Sequence, residues 1–247
     1  VLQDGYVSKV EKFENAEHWV AFDATGAIPL SDLRLLAPVI PGKIVAVGRN
    51  YAAHAKELGN EVPSEPILFL KPPSSLLDPG GTIRRPPSST RVDFEGELAI
   101  VIGTRARHVA REKWRDAVLG FTCANDVTAR DLQKKDVQFT RGKGFDTFCP
   151  LGPWIETELD PADLRLVTRV NGTARQDGRT SQMAFDCGAL IAFISEIMTL
   201  EPGDVILTGT PEGIGPLEPG DVVEVEIEKI GALSNLVANE GPTASDA

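Results

Sequence analysis

The chain has 247 residues, enough to bury a full core in one large domain with room for a small appendage. Its formal net charge of −11, with no lysine- or arginine-rich stripe to offset it, argues against nucleic acid and anionic membranes as partners. Three widely spaced cysteines, Cys123, Cys149 and Cys187, match no zinc or redox pattern and read as buried free thiols. No signal peptide and no membrane-spanning apolar run is evident, so the reducing cytoplasm is the expected compartment.

Glycine (23) and proline (18) punctuate short β-branched runs, which predicts a mainly β fold with short helices. Residues 1–40 read as a small β appendage, with a strand at His18-Trp-Val-Ala-Phe22, a turn at Asp23 to Gly26, and a boundary between Pro38 and Gly42. The domain spanning 41–238 opens with a buried strand, Lys43-Ile-Val-Ala-Val47, and a helix over Tyr51 to Leu58. A strand at Ile67 to Leu70, a proline-rich loop from Pro72 to Pro87, and the strand Phe94-Glu-Gly-Glu-Leu-Ala-Ile-Val-Ile102 follow. Arg111 to Val118 reads as helical, Val118 to Ala124 as a strand, and Ala129 to Lys135 as a helix. Further along come a strand at Leu166 to Val170, a helix over Ala189 to Met198, and strands at Asp204 to Thr208 and Asp221 to Ile227. Residues 239–247 read as a flexible tail.

The chemistry begins at Glu95 and Glu97. Two residues apart on a strand, they point to one face. A strand apolar on both faces would carry both carboxylates indoors, where two anions need a proton or a shared cation. The other reading starts the strand at Leu98 and leaves both glutamates in water. Asp126, where an apolar strand meets a helix, is the natural third ligand, or else the helix N-cap. Thr128-Ala-Arg-Asp131 has capping-box spacing and would leave Asp126 free. Three carboxylates suit Mg²⁺ or Mn²⁺, with Ca²⁺ as a substitute, better than zinc.

His54 and Glu57, at i and i+3, share a helix face and form either a proton-transfer pair or ordinary solvated surface. His18 and His108 read as surface residues. Arg130 and Gln133, one turn apart, and Lys143, in a Gly-Lys-Gly loop, would bind a carboxylate and a developing oxyanion beside a metal; singly, each is also an ordinary surface residue. Thr208-Gly-Thr-Pro211 makes either a carboxylate cradle or a plain turn. Gly213-Ile-Gly215 is too weak for a nucleotide site.

Taken together, Val47-Gly-Arg-Asn-Tyr-Ala-Ala-His54, Phe69-Leu-Lys-Pro72, Phe94-Glu-Gly-Glu-Leu98, Asn125-Asp-Val-Thr-Ala-Arg-Asp-Leu-Gln133, Lys143-Gly-Phe145 and Leu207-Thr-Gly-Thr-Pro211 resemble the fumarylacetoacetate hydrolase family. The match runs from about Leu35 to Gly231. The resemblance implies a mixed β-sandwich roll, a homodimer, and a divalent ion on Glu95, Glu97 and Asp126. It implies a water-activating His54–Glu57 dyad on a lid, oxyanion and orienting roles for Lys143 and Gln133, and substrate contacts from Arg49, Arg130 and Thr210. The short N-terminal region resembles the compact members: acylpyruvate hydrolases, oxaloacetate decarboxylases, and isomerase/decarboxylases of aromatic-acid breakdown. In all of them a 2-oxo acid would chelate the metal, which stabilises an enolate. The expectation places hydrolysis or decarboxylation of a small 2-oxo acid first. Isomerisation of a 2-hydroxyhepta-2,4-diene-1,7-dioate-type substrate comes second, and a non-catalytic metal-binding dimer well below both.

Overall fold

The computed structural model describes residues 32–241 and, before them, the backbone of three two-residue strands. The chain divides into two units, Val1–Leu35 and Leu36–Ala247. In the first, β1 (Leu2–Gln3), β2 (Tyr6–Val7) and β3 (Ile28–Pro29) form an antiparallel sheet in that order. The strand expected at His18 to Phe22 lies outside the described residues.

The second unit is mainly β with four short α-helices among the described residues. Seven strands make its largest sheet: β4 (Ile44–Gly48), β5 (Ile67–Lys71), β6 (Leu76–Leu77), β9 (Gly96–Ile102), β10 (Val118–Asn125), β12 (Cys149–Glu156) and β15 (Val205–Leu207), in the order β5-β4-β15-β9-β10-β12-β6. A five-stranded sheet combines β7 (Thr82–Arg85), β13 (Arg165–Val170), β14 (Thr173–Arg179), β17 (Val222–Ile227) and β18 (Gly231–Asn239), ordered β14-β13-β17-β18-β7. Three short strands, β8 (Val92–Phe94), β11 (Thr128–Ala129) and β16 (Gly215–Pro216), form a small sheet with β8 in the middle. The result is a curled half-barrel of the mixed β-sandwich type.

β9 explains how the sequence selects this arrangement. Every residue of it is buried. Leu98, Ile100 and Ile102 alternate into a core shared with Val225 and Ile227 of β17 and Leu233 of β18. Ala99 and Val101 face the other way, against Ile44, Ala46, Val205 and Leu207. A central strand buried on both faces has to read as continuous hydrophobic sequence, and this one does. β17 and β18 cover one side only and alternate buried with exposed residues.

Helix α4 (Cys187–Ile197) caps the first core with Cys187, Leu190, Ile191 and Ile194, an i, i+3, i+4, i+7 stripe. Its N-terminus is capped by Asp186, which accepts the Ala189 N–H at 2.8 Å. The Arg111–Ala117 segment is a 3₁₀ helix, whose Trp114 ring meets Phe121 edge-on at 6.2 Å.

Several expectations change. The strand expected over Phe94 to Ile102 is broken at Glu95, which passes the chain from β8 in the small sheet to β9 in the large one. Gly96 permits the break: a Cβ there would stand 2.1 Å from Thr168 Oγ1 of β13, so only glycine lets the two sheets approach. The proline-rich loop holds β6 and β7, which pair in parallel with β12 and β18. β12, β14 and β18 were not anticipated.

Candidate active site and metal centre

The site lies where β8, β9 and β10 meet helices α1 (Ala52–Glu57), α2 (Arg130–Lys135) and α3 (Thr140–Lys143). Asp126 directly follows β10, and its N–H donates to the Glu95 carbonyl at 2.8 Å, which fixes the two ligand-bearing segments side by side. Oxygens of Glu95, Glu97 and Asp126 lie within 4.8 Å of one another, and all three side chains are buried. The solvated reading of the glutamates is therefore excluded.

Asp126 is not a helix cap. The N-cap of α2 is Ala129, without a side-chain cap. The expected capping box does not form: Thr128 Oγ1 donates to the Asp126 carbonyl at 2.9 Å, and Asp131 instead accepts from Ser89 and Thr90. The Asp126 carboxylate is thus available for the cluster.

Cations surround the triad. Lys143 Nζ donates to Glu95 Oε2 at 2.8 Å and to Asp126 Oδ2 at 2.5 Å. It sits at the end of α3 rather than in a loop. Arg130 donates to Asp93 Oδ2 at 2.9 Å, to Gln133 Oε1 at 2.6 Å and to Glu95 Oε1. Its guanidinium is thereby committed to the protein. Glu97 accepts the Gly209 N–H at 2.6 Å.

These contacts set the carboxylates apart. Burial pushes Glu95 up, but Lys143, Arg130 and His54 outweigh it and hold the acid below the usual carboxylate range. Burial, with the charges of Asp126 and Glu95, drives Glu97 well above that range. Burial alone would discharge Lys143, but Asp126 and Glu95 more than compensate and raise it. Negative charge around Glu97 is thus under-compensated, and the donors are all hard oxygens. Three such carboxylates can coordinate one divalent cation of the Mg²⁺ or Mn²⁺ kind, so the residues fit the group.

His54 and Glu57 do pair, with Nδ1 and Oε2 3.1 Å apart. His54 is buried, while Glu57 stays partly exposed and is steadied by the Gly213 N–H at 3.1 Å. Gly213 has φ +95, and a Cβ there would stand 2.1 Å from the Arg175 carbonyl oxygen. The weak glycine motif thus serves to place Glu57. His108 is exposed, as expected, and His18 lies outside the described residues.

A cavity of about 390 Å³ joins these groups. Arg49, His54, Glu57, Glu95, Glu97, Asp126, Arg130, Gln133, Lys143 and Thr210 all line it, so every expected site residue reaches one space. Arg49 stands at φ +58 in a turn pinned by Asn50, whose amide bonds the Thr208 carbonyl and both backbone groups of Phe185. Thr210 Oγ1 donates to the Gly96 carbonyl at 2.8 Å and accepts from Gln176 at 2.7 Å. Phe69 and Phe139 meet edge-on at 5.5 Å and give the cavity an apolar wall. Of the two readings of Thr208 to Pro211, the carboxylate cradle holds, since the Gly209 N–H grips Glu97; sequence reading missed Lys71, Asp93 and the Gly213 amide. Lys71 lay inside a quoted motif, and its full burial was the signal that sequence does not display.

One cavity gathers three buried carboxylates able to coordinate a divalent cation, a histidine–glutamate pair and a buried lysine, the donor set of a metal-assisted enzyme. The fumarylacetoacetate (FAA) hydrolase C-terminal family model matches residues 43–238, and the chain belongs to this family. Protein Rv2993c of Mycobacterium tuberculosis is 54% identical over 216 residues, 86% of this chain and 82% of its own length. The structure of a 5-carboxymethyl-2-hydroxymuconate delta-isomerase from Mycobacterium smegmatis matches with a TM-score of 0.83 at 52% identity, covering 89% of this chain and 87% of that one. The mitochondrial oxaloacetate tautomerase of Homo sapiens is 46% identical over 223 residues, 85% of this chain and 71% of its own.

Proposed function

We propose that the enzyme isomerises a small 2-oxo acid, moving a proton between its enol and oxo forms. The observation that carries this reading is His54, tied through Nδ1 to Glu57 at 3.1 Å and lining the same cavity as the carboxylate triad. Sequence expectation put hydrolysis or decarboxylation first. Relatives whose names are those of an isomerase and a tautomerase support the second reading better.

A Mg²⁺ or Mn²⁺ ion held by Glu95, Glu97 and Asp126 would supply Lewis acidity toward the carboxylate and 2-oxo oxygens of the substrate. His54, with Nδ1 engaged by Glu57, uses Nε2 to take a proton at one substrate atom and return it at another. Lys143 and the Gln133 amide steady the oxygen on which negative charge grows. Arg49 holds a substrate carboxylate at the cavity wall. Arg130 and Thr210 act chiefly through Glu95 and Gly96, which they hold in place.

The test is a substrate panel with Mg²⁺ or Mn²⁺: enol-oxaloacetate, 5-carboxymethyl-2-hydroxymuconate and acetylpyruvate. The reading expects accelerated loss of enol absorbance without pyruvate or carbon dioxide. Pyruvate release from acetylpyruvate at a higher kcat/KM, with enol decay at the buffer rate, would restore hydrolysis.

A further inference from the structure

Lys71, the last residue of β5, has no part in the reaction as proposed, yet its side chain is wholly enclosed. Its ammonium donates to Asp126 Oδ1 at 2.6 Å, to the Lys143 carbonyl at 2.6 Å and to the Val127 carbonyl at 3.3 Å. Three acceptors use all the protons of an ammonium, so none remains for a substrate. Enclosing such a charge is unfavourable unless a counter-charge and good hydrogen bonds offset it. Asp126 is that counter-charge.

Two of the three acceptors belong to the site. Asp126 is gripped from both sides, Oδ1 by Lys71 and Oδ2 by Lys143. The same Lys71 ammonium bonds the backbone of Lys143, the residue that ends α3. One buried cation therefore fixes both the third carboxylate and the base of the lysine that faces it.

We propose that Lys71 is a positioning residue: it keeps Asp126 Oδ1 engaged, so that Oδ2 is the oxygen offered to the divalent ion, and it ties that orientation to Lys143. The inference rests on the reading of Glu95, Glu97 and Asp126 as an ion site. Without Lys71, Oδ1 has no ammonium to hold it, and the carboxylate is free to turn away from the orientation in which Oδ2 faces Glu95 across the Lys143 ammonium.

The experiment measures Mn²⁺ binding to the metal-free protein by calorimetry and electron spin resonance, for wild type, Lys71→Met and Lys71→Gln. Loss of a group that orients a metal ligand weakens binding by about 10–100-fold, and Lys71→Met is expected in that range. Lys71→Gln, which keeps a donor, falls between it and wild type. At saturating Mn²⁺, kcat of Lys71→Met stays within about threefold of wild type, because the change lies in ligand orientation rather than in the proton transfer. An unchanged or tighter Kd in both variants would overturn the inference while leaving the ion site standing. No binding by the wild type would remove the ion site itself. Should neither variant fold, a crystal structure of the wild type with Mn²⁺ decides. Retention of the Lys71–Asp126 Oδ1 contact supports the proposal, and rotation of Oδ1 away from Lys71 onto the ion refutes it.

Discussion

The backbone N–H of Gly209 donates to Glu97 Oε2 at 2.6 Å, tying the turn after β15 to a carboxyl that burial drives well above the usual range. Gly209 sits at φ +94, and a Cβ there would stand 2.7 Å from the Asn50 Cβ. Gly209→Ala therefore strains the backbone and displaces the donor together. The expected loss of stability is about 1–3 kcal/mol. Mn²⁺ affinity falls in the same variant, which thermal melts and calorimetry measure separately.

Divalent-ion affinity rises with pH. Burial and the neighbouring Asp126 and Glu95 raise Glu97, so in the ion-free protein it keeps a proton at a pH where an ordinary glutamate has lost it. Coordination needs the ionised form, so binding expels that proton. Affinity climbs as pH approaches the raised value and levels off above it. Calorimetry in buffers of different ionisation enthalpy should show proton release. A Kd that does not change with pH above the ordinary glutamate range, with no proton released, would contradict this account.

Glu57→Gln keeps the helix and the size of the side chain but removes the charge that orients the His54 ring. General acid–base catalysis contributes about 10²–10⁴-fold, and a group acting through the histidine carries part of it. A fall in kcat of about 10–100-fold is expected, with Mn²⁺ affinity unchanged. Loss of ion binding in this variant would place Glu57 in the coordination shell instead.

Asp131 gives a pH test remote from the carboxylate triad. Burial raises its pKa, but hydrogen bonds from the Ser89 hydroxyl, the Thr90 amide and hydroxyl and the Leu132 amide together outweigh it and lower the value to about 2. The stability it contributes is therefore present above its ordinary value of 3.8 and lost as pH falls through about 2. The Tm gap between wild type and Asp131→Asn should be open near neutral pH and close toward about pH 2. A gap that persists there would mean that packing, not charge, is lost.

Much of the site was legible because its residues lie in short local patterns. Glu95 and Glu97 stood at the head of a segment apolar on both faces, which admitted a buried strand beside the solvated reading, and His54 and Glu57 shared one helical turn. What the sequence concealed depends on distant partners. The break at Glu95 needs Thr168, more than seventy positions along the chain, to press against Gly96. β6 and β7 are short strands inside a proline-rich stretch, and β12 and β18 supply their pairing. β14 is mostly exposed and carries little hydrophobic signal. Lys71 fell just beyond the expected strand Ile67 to Leu70, and nothing nearby announces that Asp126 and two carbonyls will enclose it.

The break at Glu95 also makes the site a gauge of assembly. One ligand stands where the chain leaves the small sheet, another is on the large sheet, and the third follows β10. An ion seated among them behaves as a rivet through two layers, stabilising only molecules in which both are joined. At a concentration one hundred times Kd it adds about 2.7 kcal/mol to that joined state. Loosening the seam between the layers would release the ion while most strands were still paired. Manganese release during unfolding would therefore time the parting of the sheets rather than the melting of either one.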